Sequence, residues 1–388
     1  ILMLLDSLNT FRFSICNCSD NSLISAKKNL HYYITFQGRK MKLSLFVLSL
    51  FSSFLIAGHV LSSSVELLET VIPAKPIERV PAKFSRRAAR NGNEGWVKLS
   101  FVVDANGAVV DPVIEDSSGI RDFEKASLRA IRQWQYSPAI RNGKKIEQCR
   151  NSVQMNFKLD KGTKGGRKRF VREYKYTDEA LRADNFVLAE QLITQMGEGK
   201  IWNSYEDAWF WMLKSEIAKA QGHDHSQLSS IWRLVSSSQS DEYVGEAYYL
   251  YLLHQKFTLE IKASLFSDAL QTFAQIEQRP DNEKTVSVLE KYATRIRQVL
   301  KNRDFIVVQG EIGSNGDWWH SLSRNRFMFS DIEGTLNTVE VRCDNKREKY
   351  TVAQDTEWKI PKRWGRCKIM VVGDTQANFN LVEIRQGA

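Results

Sequence analysis

A multi-domain α+β fold is predicted for this chain: a ββαβ domain over residues 81–159, an α-helical region over 177–301 and a small all-β, sandwich-like domain over 303–386. Two observations predict it. With 388 residues, 43% of them hydrophobic and 26% charged, the chain is too long for one core and too apolar to stay disordered. Its apolar residues repeat with period two, then at helical spacing, then with period two again between Trp96 and Leu159; they are helical from Asp178 to Leu300 and return to period two from Phe305 to Ile384.

Residues 1–40 show no sustained period and are expected to lie upstream of the mature protein. From Met41 the pattern changes. Arg39, Lys40 and Lys42 stand before the apolar run Leu43 to Gly58, and small and polar residues follow through Ser64. Basic, apolar and small segments in that order make a secretory signal over 41–64, with Met41 as its start. Leu43 to Leu61 is also about long enough to span a bilayer, so a cleaved signal and an uncleaved inner-membrane anchor both fit. Either one sends the remainder out of the cytoplasm.

A connector with Pro73, Pro76 and Pro81 covers 65–80. In the run Trp96 to Val103, residues Val97, Leu99, Phe101 and Val103 share one face, the mark of a half-buried strand. Asn106-Gly107 supplies a turn and Ala108 to Glu115 the returning strand; a calcium loop starting at Asp104 would need further carboxylates that are missing. Phe123, Ala126, Ala130, Ile131 and Trp134 then fall at helical spacing, with Asp122 placed to cap the first turn. Pro138 stops the helix, Asn142-Gly143 turns the chain, and Val153, Met155, Phe157 and Leu159 mark a third strand.

The stretch 160–176 is basic and glycine-containing, and it reads as a solvated linker, with an anionic lipid or glycan contact as the alternative. From Lys161 to Lys175 it holds seven basic residues and one acid, so it supplies six of the ten net positive charges. No folded unit is left with a strong basic face, which argues against nucleic acid as a partner. Helices are expected from Thr177 or Asp178 toward Met196, from Tyr205 to Ala220, and from Ser226, Asp241, Leu259 and Asn282. They fit either a tetratricopeptide-like solenoid or an irregular bundle.

In the last domain, strands are expected at Phe305 to Ile312, Arg326 to Ile332, Val339 to Cys343, Glu348 to Val352, Cys367 to Val372 and Asn378 to Ile384. An oxidising compartment permits a disulfide between Cys343 and Cys367; a metal site there would need further ligands at the right spacing. Cys149 reads as a buried free thiol.

No hydrolase elbow, zinc helix, Walker loop or dinucleotide fingerprint occurs, so no enzyme activity, catalytic residue, metal or cofactor is expected. His223 and His225 read as surface-loop residues rather than metal ligands. Trp318-Trp319-His320 follows a Gly-Ser-Asn-Gly turn, and this loop could cover one end of the sandwich or stack on a glycan or peptide.

Phe84 to Leu159 carries an ordered set of motifs: Ala88-Ala89 and Glu94-Gly95 before the first strand, Val103-Asp104 with Gly107 in the hairpin, and Trp134, Tyr136, Pro138 and Ala139 after the helix. In that order and spacing the segment, about 80–159, resembles the TonB C-terminal domain family. The resemblance implies an energy transducer of the cell envelope in which a proton-driven inner-membrane motor complex pulls on TonB. The terminal domain then grips an extended segment of an outer-membrane receptor. Strand addition to a sheet edge is the mode, and the implied edge here is Arg150, Asn151, Ser152, Val153, Gln154, Met155, Asn156 and Phe157. Phe84, Ser85 and Arg86 occupy the place of the family's Tyr-Pro contact, with serine where proline is usual. Two further departures stand out: the spacer between signal and domain reaches only on the order of 70 Å, and the chain continues far beyond the domain. A soluble periplasmic adaptor that binds other envelope proteins is the second reading.

Overall fold

The computed structural model describes residues 71–159, 165–198, 203–237, 240–302 and 304–385, all within the unit 66–388. The expected upstream segment 1–40, the expected signal at 41–64 and residues 160–164 of the expected linker lie outside the described residues. Among the described residues no helix is long and apolar enough to cross a membrane.

The first domain runs through β1 (Val71–Ile72), β2 (Lys75–Glu78), α1 (Arg86–Arg90), β3 (Gly95–Val103), β4 (Val109–Ser117) and α2 (Arg121–Ile131). It ends in β5 (Gln135–Ser137), β6 (Ala139–Arg141), β7 (Lys144–Ile146) and β8 (Gln148–Phe157). Its main sheet is antiparallel in the order β4-β3-β8. The β3–β4 hairpin turns where Asp104 Oδ1 accepts the N–H groups of Asn106 and Ala108, each at 2.8 Å. Gly107 has φ +88°, and a Cβ there would lie 1.9 Å from the Tyr136 carbonyl oxygen, so a larger residue has no room. Phe123 and Ile131 of α2 bury against Val97, Leu99, Phe101 and Val103, and the Trp134 indole donates to the Val80 carbonyl at 2.8 Å.

Three expectations for this domain change. Residues 71–80 of the connector contain strands, with β1 pairing with β6 and β2 with β5; the prolines there are compatible with short edge strands. Asp122 lies inside the first turn of α2 rather than at its cap, where it accepts from the Ser85 hydroxyl at 2.8 Å. β3 is buried on both faces, since Trp96, Ser100 and Val102 are enclosed as fully as the predicted core set. The second face is covered by the rest of the chain: Arg342 Nη1 lies 3.3 Å from Ser100 Oγ.

The helical region comprises α3 (Lys168–Arg182), α4 (Phe186–Gly197), α5 (Ser204–Ala220), α6 (Asp224–Ser236), α7 (Ser240–Val244), α8 (Glu246–Lys262), α9 (Phe266–Glu277) and α10 (Glu283–Val299). The expected linker 160–176 is thus shorter, because helix begins at Lys168 and buries Phe170 in a core with Ile193 and Leu213. Phe170 and Tyr174 are the positions before Thr177 that pack on this core, too few among many charges for a periodicity signal. Arg167, just before α3, donates through Nε to both oxygens of the fully buried Glu206, each at 3.0 Å. The expected single helix toward Met196 breaks at Asp184 (φ +54°), after which Asn185 caps α4. Leu259 lies inside α8; the break there is Ser264 (φ +59°). Further cores form around Ile231 and Leu252, then Phe257 and Phe273, so helices pack mainly on chain neighbours, as in stacked hairpins.

The last domain contains β9 (Ile306–Glu311), β10 (Asp317–Ser321), β11 (Arg326–Glu333), β12 (Leu336–Cys343), β13 (Arg347–Thr351), β14 (Trp358–Lys359), β15 (Cys367–Gly373) and β16 (Asn378–Ile384). Two four-stranded sheets, β10-β15-β12-β13 and β14-β11-β16-β9, enclose a core with Phe327, Phe329, Val339 and Ile369. Cys343 and Cys367 stand opposite each other in register on β12 and β15 and are joined by a disulfide. Trp318-Trp319-His320 is a strand, β10, rather than a loop: Trp318 packs on the core while Trp319 points the other way. His320 Nε2 meets the buried Glu383 at 2.7 Å.

Candidate functional site

β8 is an edge strand whose alternate residues do different things. Val153, Met155 and Phe157 pack on the domain core, and the Phe157 ring stacks on Phe123 with centroids 4.1 Å apart. Ser152 and Asn156 are exposed. Asn151 is tied locally, donating to the Gln148 and Phe101 carbonyls at 2.6 and 3.2 Å.

The two ends of the strand differ in what covers them. At the first end, the Cys149 N–H donates to the Asp344 carbonyl at 3.2 Å, and Arg150 Nη1 lies 3.9 Å from the Asp344 carboxylate. Toward the middle, Gln154 Nε2 donates to the Ser236 carbonyl at 2.6 Å. Asp344 lies just past the end of β12 and Ser236 ends α6, so this chain's own later domains hold the strand over these residues. The stretch from Ser152 to Asn156 carries the exposed positions.

The second candidate segment meets β8 at its far end. Phe84 sets its ring edge-on against Phe123 and Phe157, with centroids 5.1 and 5.9 Å away. Ser85 accepts from the Ala88 N–H as the N-cap of α1 and donates to Asp122. Phe84 and Ser85 therefore serve the fold, and of the three only Arg86 presents an exposed, charged side chain.

Cys149 is a buried free thiol, and burial together with the nearby Glu147 pushes its pKa up to about 12. Such a thiol is a poor nucleophile at neutral pH. Among the described residues no cluster of His, Cys, Asp and Glu is placed to hold a metal ion; His223 directly precedes α6 and follows the turn at Gly222 (φ +72°).

A polar chain anchors the domain to the helices. Arg233 of α6 donates to Asp116 Oδ1 and to the Ser117 carbonyl, both at 2.9 Å, and stacks on Trp211. Trp211 Nε1 in turn donates to Asp207 at 3.0 Å. Loss of solvent pushes Asp207 up to about 6, against the pull of Ser237, Trp211 and Arg233. A carboxyl raised in the folded state destabilises above its folded pKa, and the penalty fades as pH falls toward the unfolded value. Asp207→Asn should therefore stabilise the protein by about 1–2 kcal/mol at pH 8, with the gain vanishing near pH 4. Urea titrations across that range measure it, and a gain independent of pH would contradict the assignment.

Residues 80–159 match the family model described as Gram-negative bacterial TonB protein C-terminal. Protein TonB of Xanthomonas campestris pv. campestris strain B100 is 39% identical over 80 residues, which is 21% of this chain and 35% of that relative. Protein TonB of Vibrio cholerae serotype O1 is 32% identical over 88 residues, 23% of this chain and 36% of that one. The chain thus spans about a third of the length of the curated relatives it matches. Among solved structures, the Pseudomonas aeruginosa TonB C-terminal domain in solution is 25% identical, with 23% of this chain and 90% of that one covered, at a TM-score of 0.20. The TonB2 protein of Vibrio anguillarum is 39% identical, with 23% and 84% covered, also at 0.20. The motifs from Ala88 to Ala139 fall within the matched span, and residues 80–159 are the part of this longer chain that is similar to the TonB C-terminal domain.

Proposed function

We propose that this chain is a TonB-type protein of the bacterial cell envelope, an energy transducer in TonB-dependent transport whose β8 edge grips an extended segment of an outer-membrane receptor. What carries the reading is an edge strand of a TonB C-terminal domain with exposed positions at Ser152 and Asn156. An incoming strand would bond to main-chain N–H and C=O groups there, so affinity depends little on β8 side chains. Arg86 is the remaining member of the second contact. The signal expected at 41–64 puts the domain in the periplasm, within reach of an inner-membrane motor complex.

A soluble periplasmic adaptor is the second reading, and one observation favours it. Asp344 and Ser236 hold β8 against the chain's own later domains, an arrangement suited to a rigid scaffold that joins envelope partners.

Photo-crosslinking from Ser152 and Asn156 in intact cells, combined with Asn156→Ala, Gln154→Pro and Asn156→Pro, tests both readings. Proline removes an N–H and bends the edge, so at least one proline variant should lose about tenfold in receptor capture, while Asn156→Ala stays near wild type. Crosslinks to periplasmic proteins alone, with wild-type uptake in the proline variants, would replace transduction by the adaptor role. Folded proline variants that keep every crosslink would end the strand-addition reading.

A further inference from the structure

A concavity lies where three parts of the chain meet: the β4-β3-β8 sheet, helices α6, α8 and α9, and strands β10 and β15. It has a volume of about 680 Å³, within the usual range for ligand pockets of roughly 300–1,000 Å³. We infer that this cavity binds an uncharged oligosaccharide, through a stripe of glutamine amides on α9 and aromatic rings on the facing walls.

Among the described residues, the charged side chains on its walls other than Asp268 are already paired. Glu115 lies 2.8 Å from Lys368 and 3.4 Å from Lys98. Asp116 is bonded to Arg233, Glu260 to Lys256, and Arg279 to Glu246. An ionic ligand would have to break one of these pairs, at the expense of leaving its partner uncompensated. Asp268 has no ion pair but sits in the first turn of α9, where the helix N-terminus favours a carboxylate. It remains available as an acceptor for hydroxyl groups.

The unused hydrogen-bonding capacity belongs to amides. Gln271, Gln275 and Gln278 follow one another at helical spacing on α9, line the cavity, and make no side-chain hydrogen bond with the described residues. Each amide offers two donors and an acceptor, which matches the mixed donor and acceptor character of vicinal hydroxyls. Opposite them stand Trp319 of β10 and Trp232 of α6, with Tyr249 of α8 nearby. Lys368 lies 4.8 Å from the Trp319 ring centre and Arg279 5.0 Å from that of Tyr249, so these rings are held in place before any ligand arrives. Arg342 also stands over Trp319 and Lys256 over Trp232, so the C–H groups of a sugar would pack on the ring surface that these cations leave uncovered, while the amides suit its hydroxyls. Trp319 is the member of the Trp318-Trp319-His320 sequence that the sandwich core leaves outside.

The test uses the full chain after its signal, titrated calorimetrically with maltotetraose, cellotetraose and tetra-N-acetylchitotetraose. At least one should bind saturably, and Gln271→Ala/Gln275→Ala should weaken it by tenfold or more. Alanine favours helix at these exposed positions, so the variant keeps its fold. Trp319→Phe should keep binding within a few-fold while reducing the ligand-induced change in tryptophan emission to the part that Trp232 reports. Saturable binding that the double variant leaves intact would overturn the inference. So would absence of binding by all three sugars at millimolar concentration, or displacement of a bound sugar by an uncharged extended peptide such as a Gly-Ser-Asn decamer.

Discussion

Lys256→Met should destabilise the protein by about 3–5 kcal/mol at neutral pH, as read by urea unfolding. Glu260 is fully buried, and four hydrogen bonds define its surroundings. Lys256 Nζ donates to Glu260 Oε1 at 2.5 Å and to Thr272 Oγ1 at 2.5 Å, Thr272 donates to Glu260 Oε2 at 2.7 Å, and the Trp232 indole donates to Oε1 at 2.9 Å. Burial already raises the Glu260 pKa in spite of Lys256. Without the ammonium group the carboxylate must either stay ionised in the interior or take up a proton. The sign follows from linkage: below the unfolded pKa both states are protonated and the loss is small, and it grows as pH rises through the raised folded value. Replacing both residues, Lys256→Met with Glu260→Leu, should recover most of the stability, because no uncompensated charge remains. An equal loss at pH 4.5 and pH 8, or a double variant as weak as the single one, would refute this account.

Removing the disulfide with Cys343→Ala and Cys367→Ala should lower stability by roughly 3–4 kcal/mol. The bond joins positions 24 residues apart in sequence, and by the chain-entropy argument it limits the unfolded ensemble. It also pins β12 to β15 at the end from which Asp344 reaches β8. Loss of the bond should therefore loosen the contact between Asp344 and Cys149 as well. Faster amide exchange at Cys149 in the double variant would report it, and unchanged exchange would mean that the interface holds β12 unaided. Mass spectrometry of non-reduced peptides supplies the control, since two free thiols in the wild-type protein would contradict the pairing itself.

The sequence alone was enough for local choices that local physics controls. Asn106-Gly107 and Asn142-Gly143 mark turns because only a few residues accept positive φ. Phe123 to Ile131 reads as a helix because its apolar face is continuous, and Val97, Leu99, Phe101 and Val103 read as a strand face for the same reason. The ordered motifs from Ala88 to Ala139 were sufficient for the domain family, and the alternation in the last eighty or so residues for the sandwich. Long-range contacts left no such trace. Ser100 on the second face of β3 meets Arg342, 242 residues away, and no periodicity reports a partner that distant. The first half of helix α3, before Thr177, went unread because charged residues surround the apolar positions it turns to the core, Phe170 and Tyr174. β10 looked like a loop because its polar and aromatic residues face two different environments, the sandwich core and the shared cavity.

The same division applies to the candidate site. A third strand was legible from Val153, Met155 and Phe157, because alternation along a strand is a local property, whereas its role as an edge over Arg150 to Phe157 was implied by the family resemblance. How much of that edge is free was decided only by tertiary structure, where Asp344 and Ser236, brought in from other domains, occupy its first part and its middle. The glutamines Gln271 and Gln275 share a face of α9, and a stripe of exposed amides on a helix is ordinarily solvated. It becomes part of a cavity only because Trp319, Trp232 and the sheet close over the same space. Sequence fixes the period of each element through backbone geometry, while the faces those elements share depend on packing free energies summed over residues far apart in the chain.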